Sequence, residues 1–372
     1  MAPDAVRKMP LGLSVLSDPS LHGTAAEPAL EGVDPRRRAV LVAGSAANAW
    51  VVDPEKTAEE LLASAMTAAG LSDPKRTQVF SLAVMTTEPR VTIAQVSRAQ
   101  SGPEVRPPAV AGGFYPGSAG EIDRMLSEMS TSPGEAAESW PAAMVPHAGW
   151  VYSGRLAMAT LRRLKIPGRV IVFCPKHRPG GAEWAVAPHA RWAFPGGEMA
   201  SDEDLARRLA DSVGGLERDA LSHRQEHAIE VQLPLLARLA PSARVVGITI
   251  GGGDWPALAQ FGGQLASVIR DLPEPPLLLI SSDMNHFADE VETRRLDRMA
   301  LDAMESLDPA RLFDVVERNR ISMCGMRPAV IVMEALRQLG RLNRCRLVGY
   351  TTSAEASGDR GRVVGYAGVL LG

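Results

Sequence analysis

"AAMVPHAG", residues 142–149, sets four apolar residues before Pro146 and His147 directly behind it. A short apolar run closed by a proline fits a strand buried on both faces that ends at the proline. The pattern recurs. "RVIVFCPKH", residues 169–177, carries β-branched and aromatic residues, then Cys174 and His177. "LLLISSDMNHF", residues 277–287, carries four aliphatics, then Ser282, Asp283 and His286. From about residue 120 onward such runs alternate with amphipathic segments. Strands are expected at 142–145, 169–173, 244–250, 277–281, 345–352 and 363–370. Helices are expected near 119–129, 154–164, 201–213, 226–240, 255–271, 291–306 and 327–339. This alternation predicts an α/β domain, a central mixed sheet flanked by helices, whose last two strands form an antiparallel pair.

The position of the histidines matters. In open α/β sheets, ligands bind beyond the carboxyl ends of the strands, where loops of neighbouring strands converge. If the strands before His147, His177 and His286 lie parallel and adjacent, three imidazoles meet. Imidazole is the commonest metal ligand and the usual general base near neutral pH. Two histidines and an anionic ligand leave coordination positions open, and Asp283 or Cys324 can supply the anion. Cys324 precedes a helix expected near Pro328, whose dipole would favour the thiolate. Taken singly, a strand-end histidine is more often a loop hydrogen-bonding residue, and a lone cysteine a buried structural one. Their shared topological position argues for a common site. His189 has no such partner and reads as structural.

"EHAIEVQLPLL", residues 226–236, is a second cluster. His227 and Glu230, three apart, share a helix face as either a metal-binding pair or an intrahelical hydrogen bond. His223 and Glu226 point toward the cleft from the helix entrance, and Pro234 should kink the helix. No phosphate-binding glycine motif, G-x-S-x-G or C-x-x-C occurs, and the C-x-x-H of Cys174 and His177 is non-specific alone.

The 372 residues suggest two domains, read as 1–100 and 101–372. The first is a small α+β module with strands in "RRRAVLVAG", "NAWVVD", "TQVFSLAVMTTE" and "RVTIAQV", and a helix opening on a Thr57–Glu60 capping box. It shows no catalytic motif, and His22 reads as a surface-loop residue. The stretch from Ser97, rich in Pro and Gly, reads as a linker. Basic and acidic residues number 40 and 43 without runs of one sign, which argues against nucleic-acid or membrane partners. No apolar run approaches the roughly 18 residues of a membrane span, and no signal peptide is evident. Three widely spaced cysteines, Cys174, Cys324 and Cys345, fit a reducing cytoplasmic setting.

The motif order "RPPAVAGGFYP", "VPHAGWVYSG", "CPKH", "EHAIEVQLPLL", "SSDMNHF", "CGMRP", "YTTSAEASGDRGRVVGYAG" resembles the MEMO family, whose bacterial members are called AmmeMemoRadiSam system protein B. The resemblance covers about 106–372. It implies a fold similar to the class III extradiol dioxygenases, which use non-haem Fe(II). It also implies metal ligands at His147, His177 and Cys324, with His286 as acid/base and Asp283 beside it. Cys174, Trp150, Tyr152, His227 and Glu230 count as further pocket residues. Cys174 stands where the family usually has Gly, and Trp150 and Phe287 where Tyr is usual. The implied function is metal-dependent oxidoreduction of a small substrate, phenolic or otherwise oxidisable, with Fe(II) first and copper or zinc as alternatives. A non-catalytic peptide- or metabolite-binding module is the second reading, and a metal-dependent hydrolase the third. Companion proteins of the three-component gene set are the implied partners.

Overall fold

A computed structural model describes residues 12–44, 47–71, 73–75, 77–96, 102–130 and 136–372. Residues 97–101 of the expected linker lie outside them. The chain forms two compact units, Met1–Arg98 and Ala99–Gly372.

The first unit holds β1 (Ser14–Thr24), β2 (Glu27–Pro28), β3 (Arg38–Ala43), β4 (Ala47–Val52), α1 (Ala58–Ala69), β5 (Gln78–Thr86) and β6 (Val91–Val96). Its sheet is antiparallel throughout, in the order β2-β1-β5-β3-β4-β6. Leu61, Leu62 and Ala65 of α1 pack against Val40, Val42, Val51 and Val79. The α1 capping box is complete: Thr57 Oγ1 accepts from Glu60 N–H at 3.2 Å, and Glu60 accepts from Thr57 N–H at 2.9 Å. His22 corrects the loop expectation. It lies within β1, one ring nitrogen 2.7 Å from the Ala29 carbonyl and the other 2.7 Å from Ser81 Oγ. Asp18 and Pro19 disguised that strand as a turn. The chain absorbs them in a bulge between Ser17 and Ser20, with Asp18 at φ 52°.

The second unit opens with β7 (Val105–Arg106), α2 (Ala119–Met129), β8 (Ala142–Val145), α3 (Trp150–Leu161) and β9 (Arg169–Pro175). It continues through β10 (Trp184–Val186), β11 (Arg191–Phe194), β12 (Gly197–Ala200), α4 (Glu203–Ser212), β13 (Leu216–Arg218), α5 (His227–Glu230), α6 (Leu233–Leu239) and β14 (Arg244–Ile250). Then come α7 (Trp255–Arg270), β15 (Leu277–Ser281), β16 (His286–Ala288), α8 (Glu290–Glu305) and α9 (Pro309–Arg318). It closes with α10 (Met326–Gln338), β17 (Cys345–Thr352), α11 (Ala354–Ser357) and β18 (Val363–Leu371).

A nine-stranded mixed sheet runs β13-β10-β14-β9-β15-β8-β18-β16, with β17 paired to β18. Strands β14, β9, β15 and β8 are mutually parallel, and β18 returns antiparallel to β8. Alternation along the strands divides the core. Met144, Ile171, Phe173, Leu278 and Ile280 face α7 and α10, while Val145, Val170, Val172, Leu277 and Leu279 face α3 and α6. The architecture is thus a mixed sheet with helices on both faces.

One expected helix is corrected. The segment 226–240 is two short helices, α5 and α6, rather than one kinked helix. Pro234 sits in the first turn of α6, where its missing N–H leaves no bond unmade. Among the described residues no helix is long and apolar enough to cross a membrane.

Candidate metal centre

Because β9, β15 and β8 are parallel neighbours, their carboxyl ends open on one edge. His147 follows β8, His177 follows β9, and the Ser282–Asp283 turn follows β15. The His147 and His177 rings lie 5.1 Å apart, centroid to centroid. The third ring to join them is His227, at the start of α5, 5.2 Å from His147 and 4.6 Å from His177. One ligand nitrogen from each of the three lies within 4.8 Å of the others. His147 is sealed, at 1% exposed, whereas the His177 side chain keeps 27% exposure, so the centre is approached from the His177 side.

The hydrogen bonds assign the tautomers. Ser281 Oγ donates its proton to the Ala228 carbonyl at 2.6 Å, so it can only accept from His147 Nδ1, 3.1 Å away. His147 Nε2 therefore carries the lone pair. Glu226 does the same for His177, accepting from its Nδ1–H at 2.9 Å and its backbone N–H at 2.8 Å. A partner that fixes the outer ring nitrogen and leaves the inner one bare is the usual support of a metal-bound imidazole. His227 Nδ1 is buried and makes no hydrogen bond, although the Glu226 carboxylate stands 3.3 Å from it.

Charge follows burial. Desolvation, then repulsion from His177, pushes His147 down to about 3. Desolvation and then His147 likewise push His227 down to about 3, so both rings are neutral donors at neutral pH. Burial pushes the Glu226 carboxyl up. The hydrogen bond and charge of His177 and the Ala228 N–H outweigh it and bring Glu226 down to about 2. A first-row transition ion fits this set of three converging imidazoles, two of them with their outer nitrogens tied off.

Cys324 lies at the same edge. Its Sγ is 3.3 Å from His147 Nε2 and accepts from Asp283 N–H at 3.3 Å. The loop reaches that position through Gly325, where a Cβ would stand 2.3 Å from Ser282 Cβ. The expected thiolate is corrected. Burial, then the nearby Asp283 carboxylate, push the Cys324 thiol well above its ordinary range, and the hydrogen bonds from Asp283, Ser282 and Gly325 do not offset them.

Asp283 does not orient His286. Its Oδ1 accepts from the His147 and Ala148 N–H groups at 2.8 and 3.2 Å, pinning the turn after β8. Burial nevertheless raises its carboxyl above the usual range. His286 is held by Ser322 instead. Its Nδ1–H donates to the Ser322 carbonyl at 2.8 Å and its backbone N–H to Ser322 Oγ at 2.7 Å, leaving Nε2 free to take a proton.

The remaining candidates are placed differently. Glu230 turns away from the histidines: it is fully buried, ion-paired with Arg106, and accepts from Tyr115 OH and from the Ala109 and Val110 N–H groups. Its role is to hold the 109–115 loop, which sets the Phe114 ring 4.4 Å from His227. Cys174 packs in the core on the α3 side, its thiol raised far above the ordinary value by burial and then by Glu226. Trp150 is buried, with its indole N–H given to the Val231 carbonyl, so it offers no polar group to the cleft. Tyr152 is 46% exposed. His189 Nδ1–H donates to the Pro103 carbonyl at 2.7 Å, and the residue has no place at this edge. Sequence reasoning missed Ser281 and Ser322, because a serine that orients a histidine has no signature of its own.

A family model described as Memo-like protein matches residues 106–370. A MEMO1 family protein of Aquifex aeolicus is 32% identical over 268 residues, covering 72% of this chain and 99% of its own. One from Ignicoccus hospitalis is 35% identical over 280 residues (71% and 98%), and one from Methanopyrus kandleri 31% over 279 (72% and 98%). The crystal structure of uncharacterized protein JW3007 from Escherichia coli K12 aligns with 63% of this chain and all of its own, at a TM-score of 0.45 and 14% identity. A likeness that distant carries no inference about fold or function.

Proposed function

The chain belongs to the Memo-like family, and on that premise we propose that its second unit is a transition-metal centre serving oxidoreduction of a small, phenolic substrate, with Fe(II) as the first expectation. A fold akin to the class III extradiol dioxygenases is part of this reading. The observation that carries it is the convergence of His147, His177 and His227 within 4.8 Å, with Ser281 and Glu226 holding two of them in the donor tautomer.

The three imidazoles would hold the ion. Cys324 would join as a softer donor once its proton is lost, which a nearby cation favours. A bound first-row ion supplies Lewis-acid polarisation and, as iron or copper, one-electron chemistry. The chain does the rest. Asp283 fixes the turn that carries His147. His286 Nε2 takes the proton of a substrate hydroxyl while its Nδ1–H stays on Ser322. The open side beside His177 admits the substrate, and the Phe114 ring offers it an apolar wall.

Three converging imidazoles also suit zinc-assisted hydrolysis. Oxygen consumption against hydrolytic turnover separates the two chemistries. The test of the centre itself is metal analysis of anaerobically purified protein. One ion per chain is expected, lost in His147→Ala and His177→Ala and weakened in His227→Ala and Cys324→Ala. No binding in any redox state would sink the reading.

A further inference from the structure

At the opposite edge of the nine-stranded sheet, the segments entering β8, β9, β15 and β17 enclose a cleft of about 660 Å3. That volume suits a small organic molecule. Prolines before β8, β9 and β15 stiffen its walls and offer no N–H. Trp140 stands in the wall, 6% exposed, and its indole N–H has no hydrogen-bond partner. A buried donor without an acceptor is uncommon in folded proteins and asks for one.

The charges around it are mostly positive. The Arg344 guanidinium lies over the Trp140 ring at 3.7 Å, giving a flat wall with a cationic edge, and is itself held by Ser139 and Glu138. Lys165 and Arg341 also line the cleft, are exposed, and form no ion pair among the described residues. Glu274 is the single carboxylate side chain of the lining. Two uncommitted cations, an orphaned donor and a flat stacked wall share one complement.

We propose that this cleft is a second ligand site, for a small organic anion with a flat body. Its carboxylate or phosphate sits between Lys165 and Arg341, its ring lies along the Trp140–Arg344 stack, and an acceptor atom meets the indole N–H. None of the metal-centre residues lines the cleft, so the site stands apart from the proposed function.

The test is calorimetric titration of the metal-free full-length protein with phenyl phosphate, benzoate, inorganic phosphate and phenol. Phenyl phosphate or benzoate should saturate one site, and whichever binds more tightly names the head group. Phenol and inorganic phosphate should bind at least tenfold more weakly. Lys165→Ala/Arg341→Ala, at two exposed positions that leave the fold intact, should weaken the anion at least tenfold. His147→Ala/His177→Ala should leave its affinity unchanged. Absence of saturable binding by either aryl anion overturns the proposal. So does unchanged affinity in the Lys165/Arg341 variant, phenol binding equally well, or loss of binding in the histidine variant, which would place the anion at the metal edge.

Discussion

Ser281 and Glu226 decide what His147 and His177 can do, though neither reaches the substrate side. Removing either frees a ring nitrogen and lets the imidazole turn or change tautomer. Ser281→Ala and Glu226→Gln should each lower metal affinity by roughly 10- to 100-fold, as loss of such supports generally does, without abolishing binding. Competition titration against a chelator measures this, and undiminished affinity in both would show that the tautomers are set otherwise. A different residue controls stability against pH. Asp297 is fully buried, accepting from Tyr350 OH at 2.7 Å and Asn285 N–H at 2.7 Å. Burial raises its carboxyl from 3.8 to about 6 against the lowering effect of those bonds. A raised carboxyl binds its proton more tightly when folded, so this contribution is most favourable below pH 3.8 and is lost as pH rises through about 6. Asp297→Asn keeps the shape without the ionisation. Its stability relative to the parent should therefore rise between pH 4 and 7, by up to about 3 kcal/mol, in urea unfolding at the two pH values.

Elements differ in how plainly the sequence announces them. The strands expected at 142–145, 169–173, 244–250 and 277–281 are found as Ala142–Val145, Arg169–Pro175, Arg244–Ile250 and Leu277–Ser281, because a strand covered by helices on both faces must be apolar throughout. The strands β10 to β13 span three or four residues each, too few for any period to emerge. The break between α5 and α6 was legible only as a kink, since Pro234 marks a helix start as readily as an interruption. Two substitutions probe single elements. Thr57→Ala removes one half of the α1 capping box and should cost the first unit about 1 kcal/mol, read from the fluorescence of Trp50, its one tryptophan. Gly325→Ala forces the turn before α10 off Ser282 and should cost about 1–3 kcal/mol while weakening metal binding. Unchanged metal affinity there would mean that Cys324 does not take part.

At the scale of the molecule, a metal held at the proposed centre would bind one unit alone, because every residue of the centre lies beyond residue 98. At 100 times its Kd a ligand adds about 2.7 kcal/mol to the state that binds it. Calorimetry should show the transition of the second unit rising by roughly 5–10 °C with metal, and that of the first unit unmoved. The site itself was half legible. Strand-end histidines can be read because topology converts chain position into place, and so His147 and His177 meet. His227 looked like a helix-face partner of Glu230, but Glu230 answers to Arg106 and Tyr115, a pairing across 124 and 115 positions that no local pattern announces.

The wide spacing of the donors also dictates when the centre can come into being. His147 and Cys324 stand 177 positions apart, and no two of the imidazoles are neighbours along the chain. An unfolded polypeptide therefore offers no local grip for an ion, and three strands must align before the nitrogens face one another. Unlike zinc fingers, whose assembly the cation itself drives, this protein must build its sheet before the proposed centre can take an ion, so metal uptake during refolding should trail the return of native secondary structure.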